Sequence, residues 1–172
     1  RLLSGDVGFG KTEVALNGIF ATILSGYQAL LVCPTTLLAS QHYEGLKKRI
    51  EKYGFKIAKL DGRTSLKEQI SIKKALEDGS IDFVVGTHSL LNVHCKKLAL
   101  IVIDEEHKFG VKQKEKLKLL RNDAHIFSMS ATPIPRTLNL ALSKIKGMSS
   151  LTTPPSERIG VRSFVKEYDE KI

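Results

Sequence analysis

The chain has no tryptophan, and only four tyrosines and seven phenylalanines in 172 residues. No aromatics are interleaved with basic residues as in proteins that stack on single-stranded bases. It has only two cysteines, Cys33 and Cys95, far apart and without a CxxC, which fits neither a disulfide framework nor a zinc site. His94 beside Cys95 reads as a loop pair, with no further ligands near it in sequence. No apolar run is long enough to cross a bilayer. The opening RLLSGD is not a signal peptide, so a cytoplasmic protein without a membrane partner is expected. Acids are scarce as well: 18 Asp and Glu against 27 Lys and Arg leave a net charge of +9. That balance suits a polyanionic partner such as nucleic acid, although a lysine-rich solvated surface would produce it too.

What is present is an alternation. Short apolar runs at the extreme start (LL), 28–35, 56–62, 81–87, 98–106 and 125–132 read as strands. Most are near-continuous in apolar residues, as expected when helices cover both faces of a parallel sheet. Helical stretches over 11–26, 36–54, 65–79 and 111–122 lie between them, and three of these run into Gly26, Gly54 or Gly79. The pattern predicts a doubly wound α/β domain, whose ligands bind at the carboxyl ends of the strands. Those ends carry PTT, DGRT, GTH, DEEH and SAT. Residues 132–147 read as a proline-started helix, and the division expected is a domain over 1–150 followed by a connector and strand over 151–172. Both edges look like cuts from a longer protein.

Residues 5–12, GDVGFGKT, match G-x-x-x-x-G-K-[ST] in full, with a strand expected before and a helix after. Gly5, Gly8 and Gly10 let the backbone N–H groups curl around phosphate oxygens, with Asp6, Val7 and Phe9 filling the loop. Lys11 would reach the β- and γ-phosphates and Thr12 would bind Mg²⁺. The helix N-terminus favours anions there. A glycine-rich turn with a chance lysine would explain the residues, but not their setting.

The run LALIVI ends in Asp104, Glu105, Glu106 and His107. Crowding three acids at the end of a buried strand is costly unless a cation compensates. Opposite a P-loop, Asp104 suits Mg²⁺, held through water, and Glu105 can orient the attacking water. The acids are therefore expected to be hydrated or ion-bound when no nucleotide is present. Ser130 and Thr132, ending the next strand, could hydrogen-bond His107 and couple hydrolysis to motion elsewhere.

GDVGFGKT, DEEH and SAT, in that order, resemble motifs I, II and III of superfamily 2 helicases and translocases of the DExH-box kind. PTTLLASQH (34–42) resembles motif Ia and GTHSLL (86–91) motif Ib. The resemblance implies a three-layer RecA-like P-loop domain with a mainly parallel sheet, using ATP and Mg²⁺. A second motor domain would supply the arginine finger. IDEEHKFGV with SATPIPRTLNLAL is similar to the bacterial branch that holds the RecG helicases and the transcription-repair coupling factors. DEEH, PTTLLASQHY and the tail TPPSERIGVRSFVKEYD look like the latter. That family translocates on double-stranded DNA, displaces stalled RNA polymerase and recruits excision-repair proteins, the last two through domains outside these residues.

By resemblance, motif Ia places DNA contacts at Pro34, Thr35 and Thr36, and motif Ib at Thr87 and His88. Small hydroxyls and backbone N–H groups suit sequence-independent phosphate contact. Arg63, in DGRTS, is a further candidate. Thr35 and Thr36 could equally cap the helix after them. Ser130, Ala131 and Thr132 would couple motifs, and Arg136 is the family's characteristic arginine, of no derived role. The chain alone is expected to be monomeric, to bind nucleotide weakly and to hydrolyse it poorly. A RecG-type fork-remodelling motor and a P-loop regulator without a DNA role are the other readings.

Overall fold

The computed structural model describes residues 1–120, 124–131 and 147–155. Seven strands form one sheet: β1 (Leu2–Gly5), β2 (Gln28–Val32), β3 (Ile57–Leu60), β4 (Phe83–Gly86), β5 (Leu98–Asp104), β6 (His125–Ser130) and β7 (Met148–Leu151). Their order is β3-β4-β2-β5-β6-β1-β7, and every pairing is parallel. The helices are α1 (Lys11–Leu24), α2 (Thr36–Glu51), α3 (Leu66–Asp78) and α4 (Val111–Leu120).

Alternation along the strands divides the core between two faces. Ala29, Leu31 and Cys33 of the β2 segment, Phe83 and Val85 of β4, and Val102 of β5 pack with Leu16, Ile19 and Ile23 of α1 and Ala39, Leu46 and Ile50 of α2. The intervening Leu30, Val32, Val84, Ile101 and Ile103 pack with Leu76 of α3 and Leu117 of α4. Because both faces are covered, the central strands carry no polar face, which explains their unbroken apolar sequence. Gln28, the buried polar residue that opens β2, is satisfied. Its side-chain amide donates to the carbonyls of Leu76 (3.0 Å) and Ile81 (2.8 Å), and its oxygen accepts from Lys97 N–H (3.0 Å).

The helix-ending glycines 26, 54 and 79 have φ of 77°, 83° and 81°, the left-handed conformation that terminates a helix at least cost in glycine. Gly86 answers a different need: a Cβ there would stand 2.0 Å from the Leu60 carbonyl oxygen, so β3 and β4 could not keep their spacing. Strand β7 is an addition to the elements expected from sequence. It pairs with β1 through Leu151, one residue past the expected division at 150. The expected helix over 132–147 falls, up to residue 146, outside the described residues.

Candidate functional site

A parallel sheet brings every strand's carboxyl end to one edge, and the strand order divides that edge. The GDVGFGKT loop follows β1, the SAT segment follows β6 and DEEH ends β5, on three consecutive strands. Register sets Ser4 against Ser130 and Asp104 against Met129. Leu3 and Asp104, both opposite Met129, therefore face each other across one strand, roughly 10 Å apart at ordinary strand spacing.

The loop is shaped by its glycines. Gly8 and Gly10 have φ of 77° and 83°. Gly10 is the cap residue of α1 and, lacking a side chain, offers its first N–H groups no side-chain acceptor. At Gly5 a Cβ would sit 3.0 Å from Leu151 Cβ, so bulk there would press the loop against β7. The Asp6 carboxylate accepts from Val7 N–H at 2.8 Å, and Phe9 N–H donates to the Asp6 carbonyl at 3.2 Å. The Lys11 ammonium lies across the loop, donating to the carbonyls of Gly5 (2.8 Å) and Asp6 (2.9 Å). Thr12 follows, half-buried in the first turn. A bare, positive helix end beside an ammonium and a compact loop is chemically suited to phosphate.

At the end of β5 each of the acids has a protein partner that the sequence did not announce. Asp104, 9% exposed, sets Oδ2 3.0 Å from His42 Nε2. Glu105 has φ 52° and ψ 54°, the one non-glycine among the described residues with positive φ. Such a conformation costs about 1–3 kcal/mol and persists where the surroundings impose it. Here they do: Glu105 N–H donates to the Met129 carbonyl (2.9 Å), and Oε1 accepts from Ala131 N–H (3.0 Å). Oε2 is buried without a hydrogen-bond partner, although His107 Nδ1 stands 3.2 Å away. Glu106 accepts from the buried Ser128 hydroxyl at 2.5 Å. The His107 ring, half-exposed, is thus set against Glu105. Thr132 and Arg136 lie outside the described residues.

These residues suit a magnesium nucleotide. The glycine loop has the compactness a phosphate cradle needs, Thr12 and Asp104 supply hard oxygen donors, and the buried Glu105 Oε2 has spare accepting capacity. Neither thiol competes as a metal ligand or nucleophile. Burial, aided by the nearby Asp104 charge, pushes the Cys33 thiol up, and burial lifts Cys95 to about 11.

The other half of the edge gathers the candidate DNA-contact residues on the consecutive strands β3, β4 and β2. After β2, Pro34 is half-buried and Thr35 exposed; the Thr35 hydroxyl caps α2 by accepting from Leu38 N–H at 3.3 Å, and Thr36 opens the helix. After β4, Thr87 is buried and His88 exposed. After β3, Arg63 is exposed, and its N–H donates to Asp61 at 2.8 Å. It borders a cavity of about 480 Å³ with Lys59, Thr64 and Glu68.

A family model for DEAD/DEAH box helicases matches residues 2–141. The chain belongs to that family. It is 58% identical, over its whole length, to the transcription-repair-coupling factor of Helicobacter pylori (strain J99), and 44% to that of Escherichia coli (strain K12). It spans 17% and 15% of those two proteins. Its fold matches a structure of RecG bound to a three-way DNA junction with a TM-score of 0.78 and 39% identity, over 94% of this chain and 22% of that one. The DEAD/DEAH box domain is thus a RecA-like α/β domain. Sequence reasoning about it missed His42, Ser128 and the Ala131 N–H as partners of the acids. The signal for His42 was its place in PTTLLASQH, on the helix after β2, the strand that pairs with β5.

Proposed function

We propose that this chain is the first motor domain of an ATP-dependent double-stranded DNA translocase of the transcription-repair coupling kind. The observation that carries the reading is the divided edge: the P-loop and the acids on β1, β6 and β5, the candidate phosphate-contact loops on β2, β4 and β3. The whole-chain likeness to transcription-repair-coupling factors supports the finer assignment.

MgATP would supply an electrophilic phosphorus and a divalent charge between the loop and Asp104. Gly5, Asp6, Val7, Gly8, Phe9 and Gly10 shape the cradle, and Lys11 exchanges its two loop carbonyls for phosphate oxygens. Thr12 and Asp104 hold the metal side. Glu105, braced by Ala131 N–H, orients the attacking water. Ser130, Ala131 and Thr132, with His107, relay changes at that carboxylate, and Arg136 belongs to the same segment. Pro34, Thr35, Thr36, Arg63 and His88 touch duplex phosphates, and Thr87 shapes their turn. RNA polymerase and excision-repair proteins engage domains beyond these residues. The arginine finger comes from a second motor and contributes on the order of 10³–10⁵ in rate.

The test uses the longer protein with both motors. Duplex DNA should stimulate its ATP hydrolysis, and its DNA affinity should fall steeply with salt. Glu105→Gln should keep ATP binding and abolish translocation. A Glu105→Gln protein that still translocates would overturn the role of Glu105, and a wild type that ignores DNA would overturn the translocase reading.

A further inference from the structure

The two halves of the sheet edge meet where β2 pairs with β5, and one side chain bridges them there. His42 lies on α2, whose first turn follows the candidate phosphate-contact loop 34–36. Its Nε2 stands 3.0 Å from Asp104 Oδ2, and both side chains are mostly buried, 14% and 12% exposed. We propose that His42 is a positioning residue that transmits phosphate contact at residues 34–36 to the orientation of the Asp104 carboxylate. The inference rests on the translocase reading above.

Three features carry it. The first is rigidity. Ala39, Leu46 and Ile50 are buried against the sheet, and His42 lies three residues after Ala39 and four before Leu46, on the same face. A force on Thr35 or Thr36 therefore moves His42 with the helix rather than bending the chain between them. The second is direction. An ionised carboxylate only accepts hydrogen bonds, so Nε2 carries the proton of this pair. The bond fixes Oδ2 and, through it, the orientation of the carboxylate. The third is economy. The cap and His42 are about 10 Å apart along the helix, at 1.5 Å per residue. A small tilt or slide of α2 therefore acts directly on the carboxylate. Ser130 and Ala131 end and follow β6, on the other side of β5 from β2, so this link is separate from the one through the SAT segment.

The test measures coupling between ligands rather than turnover alone. In the protein with both motors, duplex affinity is measured with and without a non-hydrolysable magnesium nucleotide. The ratio of the two is the coupling factor, typically about 5–150 between linked sites. His42→Phe keeps a ring in place but removes the donor. It should bring that factor to within about twofold of one, leaving the affinity for each ligand alone within roughly threefold of wild type. His42→Gln, whose amide can donate to Oδ2, should restore the coupling. Matching thermal melts of the two variants would exclude a general loss of structure. Full coupling in His42→Phe, with duplex binding intact, would overturn this inference alone. A wild type that does not bind duplex would overturn the translocase reading and this inference with it.

Discussion

Helices α1 and α3 begin alike and end up differently equipped. Each follows a strand at the same edge of the sheet, after a glycine-bearing turn, GDVGFGKT or DGRTS. Yet α3 is closed by its own side chains. The Ser65 hydroxyl accepts from Glu68 N–H at 3.3 Å, and the Glu68 carboxylate accepts from Ser65 N–H (3.1 Å) and Oγ–H (2.8 Å). Helix α1 starts at Gly10, which has nothing to cap with. Both helix ends carry the same partial positive charge. If α1 holds phosphate as proposed, the difference teaches that a helix end becomes an anion site when its own side chains leave it open. The glycines of the P-loop matter as much for what they omit as for the turns they permit.

That contrast can be tested in order of size. The largest effect should come from Lys11→Ala, which takes the ammonium from the open helix end. Nucleotide affinity should fall by about 2–5 kcal/mol, the usual cost of truncating one partner of a close charge pair, with little change in melting temperature. Gly10→Ala comes next. Nothing lies within 4 Å of the Cβ it would add, so the cost is backbone strain alone, about 1–2 kcal/mol, visible in chemical denaturation. Ser65→Ala should cost α3 about 1 kcal/mol in the same assay. It should leave nucleotide affinity untouched; if it weakens binding as Lys11→Ala does, the contrast between the two helices is broken.

The smallest effect is expected between α1 and α2. Arg49 grips Glu13 with both terminal guanidinium nitrogens, at 2.6 and 2.9 Å, but both side chains are well exposed. Arg49→Ala should therefore cost less than about 1 kcal/mol, and less still in high salt. The hydrogen bond and charge of Arg49 hold the Glu13 carboxyl below its ordinary value. Because the folded-state value is the lower one, the pair's contribution is full above the ordinary carboxyl range and lost as pH falls through the lowered value. Acid titration of wild type and Arg49→Ala should converge at low pH.

Much of the fold was legible because burial on both faces leaves strands such as QALLV and LALIVI without polar interruption. Left-handed glycines then mark where three helices stop. Strand β7 was not, since MSSL pairs, among the described residues, only with β1 and has apolar residues only at its two ends. The proposed P-loop and DEEH residues could be named because each set is contiguous in the sequence. The partners of the acids were not. His42 precedes Asp104 by 62 residues and meets it only because β2 lies against β5. The partner of Glu105 is a backbone N–H, which no residue type announces. Local crowding of acids is visible in a sequence, whereas the donors that meet them come from neighbouring strands and helices.

The central claim is that the open start of α1, with Lys11, is the phosphate site of this domain. The most direct measurement is equilibrium binding of a fluorescent ATP analogue with Mg²⁺ to wild type, Lys11→Ala and Ser65→Ala. Wild type and Ser65→Ala should bind with equal affinity, and Lys11→Ala should lose at least about 30-fold, roughly 2 kcal/mol. Undiminished binding by Lys11→Ala would contradict that claim.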